Sequence, residues 1–161
     1  MSTDIRRDGE SVLQLLLDER DIGALLHRYA TALDNKDWAL LSDCFVADAS
    51  AFYETIGELE GYAAIEALCR NALLNMSRTQ HLIGNIDITV DGDSATSSCY
   101  LHAQHVRVGT PGGDTNIIAG RYDDELVRTA RGWRIRRRSL HVWWAFGNPA
   151  VHDPDPGKAG A

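Results

Sequence analysis

The chain has 161 residues, of which 44% are hydrophobic and 24% charged, a composition that fits one globular domain with a substantial core. The formal net charge of −7 argues against nucleic acid or an anionic membrane surface as the main partner. Three widely spaced cysteines (Cys44, Cys69 and Cys99) and the lack of a targeting pattern predict a reduced, cytoplasmic protein without a structural zinc site.

Helices are predicted in the N-terminal half. Apolar residues from Ile22 to Leu33 and from Ile65 to Met76 recur at three- and four-residue intervals, which gives each segment one apolar stripe. A shorter helix is predicted between them over Trp38–Phe45, with Asp37 as its N-cap. Residues 1–17 are interpreted as an N-terminal extension of the domain.

Strands are predicted from Gln80 onward, where the hydrophobic period shortens to about two residues. A first strand ends at the hairpin turn Asp91-Gly92-Asp93, and a short earlier strand over Ser50–Tyr53 precedes Gly57. The three further strand-like runs are Ala95–Val108, Asn116–Arg128 and Trp133–Trp144, and the segment after them, 148–161, has the Pro, Gly and Asp content of a flexible tail.

This order of helices followed by strands is typical of the α+β class. Long antiparallel strands must twist and bend, so helices laid on the concave side would enclose a cone-shaped cavity. We therefore predict one cone-shaped α+β barrel domain over residues 18–147. Its strongly bent, mostly antiparallel sheet would carry three N-terminal helices on the concave side.

An ordered set of motifs extends over roughly Asp18 to Trp144. Its members are Tyr29–Trp38, Phe45 with Asp48, Gly61 with Ile65, His81–Asn85, the Asp91-Gly92-Asp93 turn with Ala95, and Gly132–Ile135. This set resembles the SnoaL-like branch of the nuclear transport factor 2-like superfamily. Within it, the Asp-and-His pattern is similar to scytalone dehydratase, bile acid 7α-dehydratase and hexachlorocyclohexane dehydrochlorinase. The resemblance implies metal-free elimination of water or HCl by a His base that an Asp supports.

The resemblance assigns the supporting carboxylate to Asp34 and the base to His81. Asp34 lies in the last turn of its predicted helix, where the dipole disfavours a carboxylate, and such a broken rule often marks function. The alternative for Asp34 is a solvated turn residue. His81 has the parity opposite to Ile86 and Ile88, which would place it on the wet face of a flat sheet, yet an imidazole lining a pocket titrates usefully near neutral pH.

Other candidate residues come from strand parity. The resemblance favours the face of Tyr100, His102 and Gln104 over that of Leu101, Ala103 and His105 as the pocket wall. Arg137 and His141 would point inward with Trp133 and Ile135 unless a bulge intervenes. Tyr29 is either a core aromatic or a hydroxyl donor to the substrate. The predicted catalytic set is Asp34, His81, Tyr29, His102 and Arg137, and the predicted pocket adds Trp38, Tyr53, Tyr100, Gln104, Ile117, Ser139, His141 and Trp143.

The leading functional hypothesis is a cofactor-independent lyase or isomerase that acts on a small, largely apolar, oxygenated cyclic substrate. No dinucleotide, phosphate-loop or zinc-protease motif occurs, so no cofactor and no metal are expected. The alternatives are a non-catalytic binding or assembly subunit and, third, an epoxide hydrolase. The convex face of the sheet, on which we place Cys99, Leu101 and Ala103, needs cover, so we expect a homo-oligomer, a dimer by family analogy or else a trimer.

Overall fold

The computed structural model describes the backbone of residues 2–153 and the side chains of residues 11–153. The predicted tail beyond Asp153 lies outside the described residues. The helices are α1 (Ser2–Asn35), α2 (Trp38–Ser42) and α3 (Tyr62–Leu73), with a final 3-10 turn over Pro149–His152. The strands are β1 (Phe45–Tyr53), β2 (Gly57–Glu60), β3 (Arg78–Asp91), β4 (Ser94–Val106), β5 (Thr115–Thr129) and β6 (Gly132–Gly147).

The predicted α+β class is confirmed. The strands form one sheet in the order β2-β1-β6-β5-β4-β3, in which only the β1–β6 pair is parallel. The sheet curves around the helices but does not close, because β2 and β3 remain at its two edges. The predicted barrel is therefore an open one.

The N-terminal elements differ from the prediction in their bounds. Helix α1 runs without a break from Ser2 to Asn35, so the helix begins earlier than the apolar stripe from Ile22 predicts. Asp37 caps α2 as predicted, and its carboxylate accepts a hydrogen bond from the Leu40 N–H at 2.9 Å. However, α2 ends at Ser42, because Phe45 already begins β1, whose alternate residues are buried under the helices.

The inner face of the sheet, which the helices cover, carries the apolar set of β4. Cys99, Leu101 and Ala103 are all buried there. Our placement of these three residues on the convex face is therefore wrong. When one face of a strand is covered and the other is exposed to solvent, its apolar side chains point to the covered face, because burial there removes them from water.

A β-bulge in β3 decides where His81 points. The pairing with β4 moves from Gly84↔Tyr100 to Asp87↔Ser98, so one extra residue is accommodated near Asn85, whose φ is +48°. Asn tolerates this left-handed conformation better than most residues. The bulge brings His81 onto the same inner face as the apolar residues that follow it, although their parities in the sequence differ.

A second bulge in β6 decides which arginine points inward. Leu126 pairs with Ile135 but Glu125 pairs with Arg137, so Arg136 is the extra residue. Arg138 therefore follows Ile135 onto the inner face, where it is 1% exposed. The expectation that Arg137 and His141 point inward is wrong, because the inserted residue shifts the alternation by one position.

Candidate functional site

The structure brings Asp34 and His81 together at one end of the inner face. The Nδ1 atom of His81 lies 2.6 Å from Asp34 Oδ1, and the His81 backbone N–H donates to Oδ2 at 3.0 Å. The Thr79 hydroxyl donates a third hydrogen bond to Oδ1 at 3.0 Å. Three donors from the start of β3 therefore fix one carboxylate from the end of α1.

The junction after α1 explains why Asp34 faces β3. The helix is closed by the Asp37 N–H, which donates to the Ala32 carbonyl at 2.9 Å, while Lys36 adopts a positive φ of 53°. The Lys36 ammonium then donates to the Met76 carbonyl at 2.7 Å, just before β3. This bond holds the end of α1 against the entry of the strand that carries His81.

The charge of Asp34 depends on two opposed effects. Partial burial raises the pKa of the carboxyl group, but hydrogen bonds from the ring and backbone of His81 and from Thr79 outweigh it, so the pKa is lowered. The carboxylate is therefore ionised at neutral pH. As an acceptor it keeps the proton on Nδ1 of His81, which leaves Nε2 of the imidazole as the basic nitrogen.

A second buried histidine, His105, lies beside this pair. Its ring centroid is 5.5 Å from that of His81, with the planes at 88°. Its Nδ1 is buried without a hydrogen-bond partner among the described residues. Burial, followed by the nearby His81 and His152, lowers the pKa of His105 to about 3, so this ring is neutral at physiological pH.

A third histidine, from the 3-10 turn after β6, completes the histidine cluster. The ring of His152, in the 3-10 turn, lies 4.7 Å from that of His105. Its Nε2 lies 3.2 Å from Oδ1 of Asn116, a buried residue at the start of β5. We call Asp34, His81, His105, Asn116 and His152 the histidine site.

The predicted wall of Tyr100, His102 and Gln104 does not reach this site. These residues point to the outer face of the sheet, where the ring of His102 lies 5.8 Å from Trp144 and that of Tyr100 lies 4.9 Å from Trp143. The prediction is wrong because it followed family spacing instead of the apolar parity of β4. That parity identifies His105 as the inward histidine, since it alternates with Leu101 and Ala103.

Arg137, His141 and Ser139 also lie on the outer face. The Arg137 guanidinium donates to Glu58 at 2.7 Å, and Nδ1 of His141 lies 2.9 Å from a Glu54 carboxylate oxygen. Ile117 shares this side of the sheet, because it pairs with Gln104 on β4 and Phe146 on β6. None of these residues joins the histidine site.

Tyr29 and Tyr53 belong to the packed interior further along the inner face. The Arg138 guanidinium carbon lies over the ring of Tyr29 and over the ring of Tyr122, 4.0 and 4.1 Å from their centroids. Asp124 accepts two hydrogen bonds from Arg138, both at 2.7 Å. Trp38 is half-buried at the edge of the core and stacks under the Arg70 guanidinium at 4.7 Å. Sequence reasoning did not single out Arg138, Thr79, His105, Asn116 or His152 as site residues.

Two kinds of feature are absent from the described part of the chain. No three His, Cys, Asp or Glu side chains converge there as a set that could hold a metal ion. Among the same residues, no helix has both the length and the apolar character to cross a bilayer.

The outer face carries an apolar groove of about 290 Å³ near the end of β6. Trp143, Trp144 and Tyr100 are each about half exposed beside it. Exposed aromatic residues of this kind are frequent at protein interfaces. Self-association through this face stays a prediction.

Comparison with known proteins gives the context of this geometry. The SnoaL-like domain model matches residues 14–139. An uncharacterised protein of Mycobacterium tuberculosis is 34% identical over 123 residues, which cover 75% of this chain and 82% of that protein.

Solved structures of low identity share the fold. A proposed scytalone dehydratase from Novosphingobium aromaticivorans is 23% identical with a TM-score of 0.75, over 83% of this chain and 89% of the other. A hexachlorocyclohexane dehydrochlorinase, LinA, is 22% identical with a TM-score of 0.75, over 90% and 98% of the two chains. Similarity at this level shows a common fold and leaves the reaction open. The family match covers most of the chain, so the protein belongs to the SnoaL-like domain family.

Proposed function

We propose that this protein is a cofactor-independent acid–base enzyme, a lyase of the dehydratase type or an isomerase. Its substrate would be a small, largely apolar, oxygenated ring, of the polyketide or steroid type. The observation that carries this proposal is the buried imidazole of His81, which is 5% exposed and held at 2.6 Å by the Asp34 carboxylate.

The pair has the arrangement that general base catalysis requires. Asp34 fixes the tautomer of His81 and stabilises the imidazolium that forms when Nε2 takes a proton. The proton would come from a carbon beside a carbonyl group. In an elimination, the C–H electrons form the new double bond, the C–O bond breaks, and the departing hydroxide takes the proton from His81 to leave as water. In an isomerisation, His81 returns the proton to another carbon.

His105 supports the same proposal from the neighbouring position. A neutral imidazole has one donor and one acceptor nitrogen, and Nδ1 of His105 lacks a partner among the described residues. A buried polar atom without a partner is costly, so a ligand oxygen that pairs with it is favoured. His105 would thus hold the substrate oxygen while His81 moves the proton.

The test is proton removal measured with and without His81. The protein is incubated in D2O with a panel of cyclic ketones and hydroxyketones, and NMR follows deuterium uptake beside the carbonyl and the loss of water. We expect His81→Ala to lower the rate by about 10²–10⁴-fold, the usual contribution of a general base.

His141→Ala is the matched control, because His141 also bonds a carboxylate but does so on the outer face. Its rate should stay within about twofold of the unaltered protein, as expected for a group that transfers no proton. Equal rates for His81→Ala and the unaltered protein on a reacting ketone would rule out the mechanism.

A second candidate function, non-catalytic binding of a small molecule, is favoured by the packing of the interior. Tyr29, Tyr53, Tyr122 and Arg138 fill the middle of the inner face and leave the histidine site at its end. The two functions differ in their products. Mass spectrometry of a ligand incubated with the protein returns an altered molecule for an enzyme and an unchanged one for a binding protein.

A further inference from the structure

The segment after β6 folds back over the sheet and forms what we call the C-terminal strap, residues 148–153. Asn148 fastens its start to the β4–β5 connection. The Asn148 side-chain amide donates to the carbonyls of Pro111 at 2.9 Å and Gly113 at 2.7 Å, and its backbone N–H donates to the Thr115 carbonyl at 2.8 Å. The strap therefore begins in a defined position, unlike the flexible tail that its composition predicts.

The other end of the strap is fastened as well. Val151 is fully buried in the core. The Arg107 guanidinium donates to the Asp153 carbonyl at 2.6 Å. Gly147, at the pivot, approaches β5 so closely that a Cβ there would lie 2.5 Å from the Thr115 carbonyl oxygen. Tight backbone approach and hydrogen bonds at both ends thus set the path of the strap.

The path of the strap places the His152 side chain at the histidine site. Val151 points into the core, whereas the next residue, His152, lays its ring against His105 at 4.7 Å between centroids. Nε2 of His152 donates to the Asn116 amide oxygen at 3.2 Å, and the residue remains exposed on its other side. His152 therefore stands between the buried His105 and solvent.

We propose that His152 is a positioning residue of the histidine site: by covering the His105 ring and holding Asn116, it shields His105 from solvent and keeps it aligned. The Nδ1 atom of His105, which has no partner among the described residues, then stays available to the substrate. The role as a substrate ligand rests on the proposed function. The effect of His152 on the state of His105 does not, because it requires no substrate.

The groups that face His105 come from four elements. They are Asp34 from α1, His81 from β3, Asn116 from β5 and His152 from the strap. Asp34 favours the charged form of His105, and its effect is opposed by burial and by the two neighbouring imidazoles. Asp153 acts on His152 in turn, where burial still lowers the pKa of the His152 ring. Loss of His152 removes both cover and a repelling neighbour, so His105 should protonate more readily.

In the proposed reaction, the two adjacent imidazoles have different roles: His105 stays neutral and His81 accepts the proton. With His105 kept neutral, His81 is the histidine that its carboxylate partner prepares to accept a proton. If His105 were charged, it would repel the imidazolium that forms on His81 during proton removal. The strap thus protects the capacity of His81 to act as a base.

The test is an NMR titration of imidazole signals in the full-length chain, with nitrogen-15-labelled histidine. In the unaltered protein, His105 should remain neutral at pH 5. In His152→Ala, we expect the ratio of protonated to neutral His105 at pH 5 to rise at least about tenfold, the change that corresponds to one pKa unit. His152→Gln keeps an N–H donor for Asn116 and should produce a smaller rise.

Two further variants complete the design. Asn148→Ala removes the two side-chain hydrogen bonds that fasten the start of the strap, without altering His152, and should raise the protonated fraction of His105 in the same direction as His152→Ala. His27→Ala removes an exposed histidine of α1 and should leave the His105 titration unchanged. An unchanged His105 titration in folded His152→Ala overturns the proposal. A rise in Asn148→Ala alone also overturns it, because cover by the strap would then suffice without His152.

The same variants separate this inference from the proposed function. If His81→Ala leaves proton removal intact but His152→Ala still changes the His105 titration, the enzymatic proposal fails and the positioning role of His152 stands. If His81→Ala abolishes proton removal and the His105 titration does not respond to His152, the positioning role fails and the enzymatic proposal stands.

Discussion

Two histidine–carboxylate pairs lie on opposite faces of the same sheet. His81 and Asp34 meet at 2.6 Å on the inner face, and His141 and Glu54 meet at 2.9 Å on the outer face. In both pairs the carboxylate also accepts a backbone N–H of the strand, from His81 itself in one and from Val142 in the other. The bonding pattern is therefore almost the same.

The surroundings of the two pairs differ. The His81 side chain is 5% exposed, whereas that of His141 is 34% exposed. His81 has a second, neutral imidazole beside it, whereas His141 has the charged Asp123, whose carboxylate lies 3.5 Å from its Nε2. The Asp123 carboxylate lies on the side of His141 on which a substrate would have to bind. A hydrogen-bonded His–carboxylate pair becomes a candidate base only where burial leaves one nitrogen available to a ligand.

The largest expected effect is on the rate of proton removal when Asp34 loses its negative charge. We predict that Asp34→Asn lowers the rate of proton removal by at least about 10²-fold, because the amide no longer stabilises the imidazolium or selects the Nδ1–H tautomer. Glu54→Gln makes the equivalent change in the exposed pair and should leave the rate unaltered. A comparable loss in both variants, measured by deuterium uptake, would remove the distinction between the two faces.

The second prediction concerns the free energy of unfolding and a third ion pair, which is buried more deeply than the His81–Asp34 and His141–Glu54 pairs. Arg138 and Asp124 are 1% and 0% exposed in their side chains and form a bidentate contact. We predict that Asp124→Asn lowers the free energy of unfolding by about 3–5 kcal/mol, since it leaves a buried guanidinium without its counter-charge. Urea unfolding measures this change. A loss below that of Asp34→Asn would show that burial does not rank the pairs as we infer.

The smallest effect is the contribution of each carboxylate to acid stability. The pKa of Asp34 is lowered because hydrogen bonds from His81 and Thr79 outweigh burial, and that of Glu54 is lowered by the His141 ring and the Val142 N–H. A carboxyl group with a lowered folded-state pKa stabilises the protein above its ordinary pKa of about 4, and this contribution is lost as pH falls through the folded-state value.

Unfolding free energies at pH 7 and pH 3 therefore test the third prediction. The difference between the unaltered protein and Asp34→Asn should shrink from pH 7 to pH 3 and persist in high salt. The corresponding difference for Glu54→Gln should be smaller and should vanish in high salt, because an exposed pair is screened. Identical salt dependence in the two variants would contradict the assigned environments.

Much of the architecture was predictable because it depends on local periodicity. The apolar stripes of α1 and α3 and the alternation from β3 onward identify the elements, and the turn at Asp91-Gly92-Asp93 sets the first hairpin. The association of Asp34 with His81 was predicted from ordered motifs that resemble a family. His105 was predictable as well, since its parity with Leu101 and Ala103 marks the covered face of β4.

Other site features depended on single inserted residues. The hydrophobic pattern does not predict the bulge near Asn85 that turns His81 toward the inner face. Nor does it predict that Arg136 is the inserted residue of β6, which places Arg138 on the inner face and leaves Arg137 and His141 on the outer face. A shift by one residue exchanges the two faces of a strand, so an error of one position reverses every later assignment. Arg136, Arg137 and Arg138 are chemically identical in the sequence, and pairing with β5 distinguishes them.

The amino-acid sequence alone thus determined the class of fold, the order of the helices and strands, and which acid–base side chains are present. It could do so because the distribution of apolar and polar residues within each segment determines whether that segment forms a helix or a strand. The histidine site itself was decided by long-range packing. Its members come from α1, β3, β4, β5 and the strap, and the neutrality of His105 arises from burial that no one segment provides. Solvent exclusion is a property of the assembled elements, and it distinguishes the His81 pair from its counterpart at His141.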